Sequence, residues 1–570
     1  MKIALLQCNS VNGDVTGNLR RLSNAIRQAA QVGVDLCVTP ELALCGVNPA
    51  NFLQLDGFAA GCFKALDVLA ETFSDGPALL VGAPVPSVYA TGLMSNVAVL
   101  VEKGSWQVVS RKVYRNQEES LRTYEGQDGD ARYFDRGISC GIVTLNGWRL
   151  GVVLCERAMN EDGSFWNVGH GGDHNALMEL TRRGVDALVH MAASPFRKGS
   201  QEARERLLSH AAARHHLHIF SVNLVGGNDS RVYNGQSCAF DSTGQLMARG
   251  KAFDEDILVV NTAQAQDVTS TKASLCACDE EAYWGALVLG TRDFVGKCGG
   301  QKVIVALSGG MDSAIVACVA VEALGAENVT GVLMPSPYSS SGSLTDAERL
   351  ASNLNMTTLT LPIENLMDAY ATALAPGFKM FAEQAGDVTF ENVQSRIRGT
   401  LITALANRAG AMVLNTGNKS ECAVGYCTLY GDTVGALAVI GDLTKTQVYA
   451  LGRWYNARWG NIPEEILTKE PSAELRPGQK DVDSLPPYDV LDPILEELLR
   501  SSSCESALAS GERAFVRRDV RDRLLHAEFK RRQLPPVLIV SRIPFGDAWR
   551  TPVAGKFCVP EESNDERIFF

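Results

Sequence analysis

Three features that would place a protein of this length in another class are missing from the sequence. No apolar run reaches the ~18 residues that a membrane-spanning helix needs, so we expect no contact with a membrane. The 15 cysteines include no Cys-x-x-Cys pair, which argues against a zinc ribbon or a disulfide framework. The formal net charge of −12 disfavours binding to nucleic acid. The first residues lack the cleavage site of a signal peptide, and together these absences predict a cytoplasmic protein.

What the sequence does have is length and a globular composition. Its 570 residues, 46% of them hydrophobic and 21% charged, are too many for one hydrophobic core, so we expect two or three domains. In residues 1–265 many apolar segments with interspersed helices predict two stacked sheets covered by helices, an αββα sandwich. A polar stretch predicts a linker over residues 266–285. The alternation of strands and helices in residues 286–570 predicts a doubly wound parallel sheet.

The second half is organised around residues 303–313, which read VIVALSGGMDS. The apolar run predicts a buried strand, the two glycines a tight turn, and the residues from 313 to about 324 a helix. A strand, turn and helix of this kind direct backbone N–H groups and the positive end of a helix dipole at one place, which suits a phosphate. A purely structural turn is the alternative. The candidate ligands are Ser308, Gly309, Gly310 and Ser313, with Asp312 for Mg²⁺.

Three reactive side chains stand out in the first half. Glu41 and Cys155 lie at the ends of predicted strands, and Lys112 lies in the polar segment SRKVY at 110–114. A thiol, a carboxylate and an ammonium can form a covalent amidase. Cys155 would attack an amide carbon, Glu41 would take and return the proton, and Lys112 would stabilise the oxyanion. Taken singly, each residue has an ordinary structural explanation. A Glu after Pro can start a helix, a Lys is usually solvated, and a Cys after a strand is usually core.

The surroundings of these residues resemble the motifs of the nitrilase-superfamily glutamine amidohydrolases. The segments are PELALCG at 40–46, GVVLCE at 151–156, SPF at 194–196 and NLVGGND at 223–229. This resemblance implies a Glu–Lys–Cys triad and a glutamine contact at Ser194. Ser200 stands where the family has a basic residue in the glutamine site, so glutamine recognition is expected to differ in detail.

The segment after Lys112 departs from this family. The sequence DARYFDRG at 130–137 resembles a motif that normally follows sooner, which implies an insertion. In that alignment Tyr124 becomes the candidate for the tyrosine near the substrate. The second carboxylate, which supports the lysine, would be Asp130, with Glu118 and Glu119 as alternatives.

The second half resembles the ATP-pyrophosphatase ligases and, within them, the NAD synthetases. SGGMDS at 308–313 resembles their pyrophosphate loop, and the implied fold is that of the adenine nucleotide alpha-hydrolases. Further motifs follow in the family's order: ENVQSRIRG at 391–399, TGNKSE at 416–421, GYCTLYGD at 425–432, IGDLTKTQVY at 440–449 and KRRQLPP at 530–536. Both halves together resemble the glutamine-dependent NAD synthetases across nearly the whole chain.

This resemblance implies a reaction in which ATP adenylates the nicotinate carboxylate of deamido-NAD and ammonia from glutamine displaces AMP. It also implies Mg²⁺ as a cofactor, a homo-oligomer, and small molecules as partners. Arg531 and Arg532 are expected at the surface. The implied ATP site is Ser308, Gly309, Gly310, Asp312, Ser313, Arg398, Thr416 and Lys445. The implied deamido-NAD site is Asn392, Glu421, Tyr426 and Lys530, and the implied metal ligands are Asp312 and Glu421.

Two alternative interpretations stay open. The chain could be an ATP-pyrophosphatase amidoligase with another substrate, although residues 391–399 and 425–432 argue against it. The N-terminal domain could also be a non-catalytic module, which would leave an ammonia-dependent synthetase. The altered segment after Lys112 favours this second alternative, and the presence of Glu41, Lys112 and Cys155 opposes it.

Overall fold

The computed structural model describes residues 1–113, 130–135, 137, 140–154, 176–262, 273–381, 387–500 and 512–557, without the side chains of residues 130, 131 and 512. Several predicted site residues lie outside this part of the chain. They are Tyr124, Cys155, Glu118, Glu119 and the side chain of Asp130.

Strands dominate the first half of the chain. They are β1 Lys2–Gln7, β2 Leu36–Val38, β3 Ala78–Pro86, β4 Met94–Glu102, β5 Ser105–Arg111, β6 Gly141–Leu145, β7 Trp148–Leu154, β8 Ala187–Ala192, β9 His218–Asn223, β10 Val225–Asn228, β11 Arg231–Asn234, β12 Cys238–Phe240, β13 Leu246–Arg249 and β14 Asp256–Asn261. The helices between them are Val15–Gln31, Phe58–Thr72, Asp130–Tyr133, Ala176–Arg182 and Ser200–His215, with a 3₁₀ turn at Ala50–Gln54.

These strands form two six-stranded sheets that face each other. Their orders are β14-β1-β2-β3-β4-β5 and β13-β12-β9-β8-β7-β6, with β10 and β11 as a separate hairpin. Strands β1 to β3 and β7 to β9 run parallel, and the outer pairs run antiparallel. One apolar core, which includes Leu5, Val152 and Phe220, lies between the sheets, and helices cover both outer faces. The predicted αββα sandwich is confirmed.

The second half contains one five-stranded sheet in the order β17-β16-β15-β18-β19. Its strands are β15 Val303–Ala306, β16 Val329–Leu333, β17 Thr357–Thr360, β18 Met412–Asn415 and β19 Leu437–Ala438. The helices are Asp279–Lys297, Met311–Leu324, Ser341–Asn353, Glu364–Phe378, Thr389–Ala409, Lys419–Val424, Lys445–Trp459, Glu464–Thr468, Tyr488–Arg500, Glu512–His526 and Glu528–Arg531, with 3₁₀ turns at Ala326–Asn328 and Asp481–Asp483. Within the described ranges, no helix is both long enough and apolar enough to cross a membrane.

Every strand pair of this sheet is parallel, and β15 lies at its centre. Alternate residues of β15 point to opposite faces: Val303 and Val305 join the core on one side, and Ile304 joins the core on the other. This explains why the strand is apolar throughout, because a strand covered on both faces has no polar side. The predicted doubly wound sheet is confirmed. Because its neighbours β16 and β18 lie on opposite sides of β15, the carboxyl end of β15 is the switch point where such sheets bind ligands.

The helix Asp279–Lys297 joins the two halves, and it begins inside the predicted linker. It packs on the hairpin β10-β11 of the first half. Asp293 accepts the N–H of Gly227 at 2.7 Å, and Lys297 Nζ donates to the carbonyl of Gly227 at 2.8 Å. The two halves are therefore joined by side-chain hydrogen bonds as well as by packing.

A buried histidine in β8 makes the stability of the sandwich depend on pH. His190 Nδ1 lies 2.9 Å from Ser221 Oγ, and burial, together with the charge of Arg204, lowers the pKa of His190 to about 3. Because the unfolded chain takes up the proton at higher pH, His190 favours the fold fully above pH ~6.5, and this stability is lost as the pH falls from there towards 3. The unmodified chain should lose free energy of unfolding between pH 8 and pH 5, and we expect His190→Gln to make this loss smaller by about 2 kcal/mol, as measured by urea unfolding. An equal loss of stability in the unmodified chain and in His190→Gln would contradict this prediction.

Candidate active sites

Glu41 and Lys112 meet in a buried ion pair in the first half of the chain. Glu41 follows β2 and Lys112 follows β5, and each residue is 5% exposed. Lys112 Nζ donates to Glu41 Oε1 at 2.7 Å, and Asn96 Nδ2 donates to the same oxygen at 2.7 Å. A buried carboxylate is stable only when its charge is compensated and hydrogen-bonded, and both conditions are met here. Two of the three predicted catalytic residues are thus in contact, while Cys155, which follows β7, lies outside the described residues.

The backbone around Glu41 is fixed by the neighbouring strand β3. Gly82 of that strand donates its N–H to Thr39 Oγ1 at 3.0 Å. A Cβ atom on Gly82 would lie 2.3 Å from the carbonyl oxygen of Pro40, so only glycine allows the turn before Glu41 to approach this closely. The turn that carries the carboxylate is therefore held by packing against the sheet.

The two serines predicted to contact glutamine make local contacts. The backbone N–H of Ser194 donates to Asn223 Oδ1 at 2.8 Å. The hydroxyl of Ser200 accepts the N–H of Arg197 at 3.1 Å, which closes the turn before its own helix. Phe196, between them, is buried in the core shared with the helix Asp279–Lys297. Glutamine binding by Ser194 and Ser200 stays a prediction.

The glycine loop at the carboxyl end of β15 has the geometry that its sequence predicts. Gly309 has φ +76°, and a Cβ atom there would lie 2.2 Å from the carbonyl oxygen of Ser343. The hydroxyls of Ser308 and Ser313 lie 3.1 Å apart across the loop. The following helix begins at Met311, two residues earlier than expected. Its first turn therefore points N–H groups into the space beyond the sheet edge.

A buried cluster of one lysine and two carboxylates lies beside this loop. Lys445 Nζ donates to Asp312 Oδ2 at 2.5 Å and to Glu421 Oε1 at 3.1 Å. Asn418 donates to Asp312 Oδ1 at 3.2 Å and caps the helix that contains Glu421. Burial alone would lower the pKa of Lys445, but the charges of Asp312 and Glu421 outweigh it and raise that pKa. Burial, with the nearby Asp312, raises the pKa of Glu421 to about 7, because two carboxylates share one ammonium.

These groups line one cleft with a cavity volume of about 310 Å³. The predicted residues in its lining are Ser308, Gly310, Asp312, Ser313, Arg398, Thr416, Glu421, Tyr426 and Lys445. Arg398 Nε donates to the carbonyl of Met334 at 2.9 Å, and burial lowers the pKa of Arg398 to about 10. The cleft thus combines the glycine loop with charged groups from three later segments of the chain.

Three residues of the predicted nucleotide sites are not part of the described cleft lining: Gly309, Asn392 and Lys530. Gly309 lies within the glycine loop. Asn392 Oδ1 accepts the hydroxyl of Thr428 at 2.7 Å. Lys530 Nζ donates to the carbonyls of Gly425 and Cys427, each at 2.7 Å. Asn392 and Lys530 therefore hold the segment around residues 425–428, and their contact with a ligand stays a prediction.

The sequence did not point to a second charged cluster in the cleft. Glu474 accepts the hydroxyl of Ser343 at 2.7 Å and the ammonium of Lys469 at 2.9 Å, and it also accepts the hydroxyl of Ser340 at 3.0 Å. These residues belong to no motif identified above. The only sequence signal is the charged and polar run around residues 469–474.

The expectation that Arg531 lies at the surface is wrong. Arg531 is buried and donates to the carbonyl of Ala423 at 2.8 Å and to Glu528 at 2.9 Å. It thereby ties the C-terminal helices to the helix Lys419–Val424. Arg532, its neighbour, is exposed.

The donor set of the cleft fits Mg²⁺. Asp312 and Glu421 present carboxylate oxygens, which Mg²⁺ prefers, and Lys445 compensates only one of the two charges. In the described part of the chain, no group of three or more His, Cys, Asp or Glu side chains could hold a metal ion. Because Mg²⁺ usually binds through one or two carboxylates together with the phosphates of a substrate, two protein ligands are sufficient.

Comparison with known proteins assigns each half of the chain to a family. Residues 2–273 match the carbon-nitrogen hydrolase family, and residues 283–534 match the NAD synthase family. A glutamine-dependent NAD(+) synthetase from Synechocystis sp. is 43% identical over 562 residues, which are 97% of this chain and 99% of the relative. The enzyme of that name from Thermotoga maritima is 36% identical, over 98% and 99% of the two chains.

A solved structure extends this similarity to three dimensions. The glutamine-dependent NAD+ synthetase of Acinetobacter baumannii, in complex with ADP, superposes with a TM-score of 0.73 at 30% identity, covering 97% of this chain and 98% of that one. The fold and the two family matches define a two-domain ligase in which a carbon–nitrogen hydrolase domain is joined to an NAD synthase domain. The chain belongs to the family of glutamine-dependent NAD(+) synthetases. The family assignment counts against both alternative interpretations, an amidoligase with another substrate and a synthetase with a non-catalytic N-terminal domain.

Proposed function

We propose that this chain makes NAD⁺ from deamido-NAD, ATP and glutamine. The observation that carries the proposal is the cleft, where the glycine loop meets Lys445, Arg398 and Glu421 at the switch point of a parallel sheet. The nicotinate carboxylate of deamido-NAD is a poor electrophile. Its oxygen attacks the α-phosphorus of ATP and releases pyrophosphate. Ammonia then attacks the carboxyl carbon and expels AMP, which leaves the amide of NAD⁺.

The residues of the cleft have separate roles in this reaction. The N–H groups of residues 308–313 hold the pyrophosphate, helped by the hydroxyls of Ser308 and Ser313. Lys445 and Arg398 offset the charge on the phosphates, and Thr416 contacts the nucleotide. Mg²⁺ held by Asp312 and Glu421 would supply further positive charge to the phosphates. Asn392, Glu421, Tyr426 and Lys530 bind deamido-NAD.

The N-terminal domain supplies the ammonia. Cys155 attacks the side-chain amide carbon of glutamine, and Glu41 takes the thiol proton and passes it to the leaving ammonia. Lys112 stabilises the oxyanion. Water, activated by Glu41, then hydrolyses the thioester to glutamate. Ser194, Ser200 and Tyr124 bind the glutamine.

The finer organisation is proposed on the same basis. The glutaminase domain spans residues 1–265, a linker spans residues 266–285, and the synthetase domain spans residues 286–570. The resemblance to the family supports a homo-oligomer in the cytoplasm that acts on small molecules. Light scattering after size-exclusion chromatography tests the oligomer, since a monomeric mass would contradict it.

NAD⁺ formation from deamido-NAD, ATP and Mg²⁺ tests the function, with glutamine and with ammonium as parallel nitrogen donors. We expect synthesis with both donors, and one AMP for each NAD⁺. Synthesis with ammonium alone would mean that the N-terminal domain is not catalytic. Synthesis with neither donor would favour an amidoligase with another substrate.

A further inference from the structure

Asn96 is a neutral residue that binds the carboxylate of the predicted general base. It lies in β4 and is 2% exposed. Its Nδ2 and the ammonium of Lys112 both donate to Oε1 of Glu41, each at 2.7 Å. Among the described residues, no side chain donates to the second oxygen, Oε2. The carboxylate is thus fixed through one oxygen, which leaves the other to exchange a proton.

Asn96 also holds the partner of Glu41. Its backbone carbonyl accepts the N–H of Lys112 at 2.8 Å. One residue therefore positions the carboxylate by its side chain and the lysine by its backbone. A substitution at Asn96 removes its side-chain contact with Glu41 but keeps its backbone contact with Lys112, so the first contact can be tested alone.

The side chain of Asn96 is poorly suited to a purely structural role. Its Oδ1 is buried and has no hydrogen-bond partner in the described part of the chain. A buried oxygen without a partner destabilises the fold, so this half of the amide adds nothing to the packing of β4. What the amide provides in return is its N–H donor to Glu41.

We propose that Asn96 is a positioning residue of the glutaminase reaction, which orients Glu41 so that Oε2 takes the thiol proton. This inference rests on the proposed function of the N-terminal domain. Among the described residues, the groups that face Glu41 are the charged Lys112 from the end of β5, the neutral Asn96 from β4, and Gly82, without a side chain, from β3. A second cation would hold the proton-accepting charge too firmly, and a carboxylate would compete for the proton. A neutral donor orients the base without either effect.

The test is glutamine hydrolysis by Asn96→Leu in the full chain. We expect kcat to fall roughly 10- to 100-fold, because one hydrogen bond to a charged group is lost. KM for glutamine should change less than about twofold, since Asn96 contacts the base and not the substrate. The acidic limb of the kcat profile should move to higher pH, because the ionised base loses a donor. Ammonium-driven NAD⁺ synthesis should be unchanged, which shows that the chain is folded.

Asn18→Leu is the matched control. Asn18 is equally buried, in the helix Val15–Gln31, and donates to the carbonyls of Val11 and Leu44. Its replacement should lower the melting temperature without moving the acidic limb. An unmoved limb in Asn96→Leu, or the same shift in Asn18→Leu, would overturn the role of Asn96.

A second variant keeps the shape of the side chain. Asn96→Asp can donate to Glu41 only when its carboxyl group is protonated, so its deficit in kcat should narrow as the pH falls, whereas that of Asn96→Leu should widen. If Asn96→Leu does not fold, the pH dependence of the Asn96→Asp deficit decides the matter by itself, and a deficit that is constant with pH would overturn the inference. Absence of glutamine hydrolysis in the unmodified chain would overturn the proposed function as well.

Discussion

Cys155→Ala is expected to abolish NAD⁺ synthesis from glutamine and to leave synthesis from ammonium unchanged. Removing a nucleophile that forms the covalent intermediate costs roughly 10⁴-fold or more in kcat, because the remaining groups have nothing to activate. The synthetase cleft belongs to the other half of the chain and receives free ammonia without the thiol. Parallel assays with the two nitrogen donors, at saturating deamido-NAD and ATP, measure glutamine-driven and ammonium-driven synthesis separately.

The control for this variant is another cysteine of the same domain. Cys140 is buried, and burial raises the pKa of its thiol to about 11, so it is not a nucleophile at neutral pH. Cys140→Ala should keep synthesis with both donors. Full glutamine-driven synthesis in Cys155→Ala would remove Cys155 from the mechanism. Loss of both activities would mean that the thiol is needed for the fold.

Local sequence patterns predicted the parts of the sites that are built from one continuous segment. The glycine loop is such a segment, since an apolar strand, two glycines and an apolar helix are all recorded in residues 303–324. The contact between Glu41 and Lys112 was predicted only through family resemblance. The two residues are 71 positions apart, and nothing in either local pattern specifies which strands become neighbours.

Exposed strands and buried charges were harder to predict. No strand was predicted at β5, because its sequence SWQVVSR is half polar. In the described part of the chain it is the edge strand of its sheet and pairs with β4 alone. Arg531 was assigned to the surface because arginine usually lies there. Inside the protein its terminal N–H groups donate to a carbonyl of the helix Lys419–Val424 and to the carboxylate of Glu528. Nothing in the sequence indicated a role for Asn96, because an asparagine in an apolar strand predicts no function until the residue that it contacts is known.

Lys445→Met is expected to abolish synthesis from both nitrogen donors while glutamine hydrolysis continues. The ammonium of Lys445 is buried between Asp312 and Glu421 beside the glycine loop. In the proposed reaction, negative charge develops at this place as pyrophosphate leaves. Loss of one such preorganised group costs roughly 100- to 1,000-fold in kcat. The two carboxylates would also face each other without a cation, which costs about 3–5 kcal/mol of stability. Ammonium-driven synthesis and thermal unfolding measure the two effects separately.

A second buried lysine of the same domain separates catalysis from stability. Lys419 pairs with Asp442 at 2.8 Å, is as buried as Lys445, and is not part of the cleft lining in the described structure. Lys419→Met should destabilise the chain by a similar amount, yet its folded fraction should still make NAD⁺. If both variants lose synthesis only in proportion to their unfolded fraction, Lys445 is a structural residue. If Lys445→Met alone loses synthesis while fully folded, its ammonium acts on the phosphates, because the same burial and the same kind of ion pair elsewhere do not suffice.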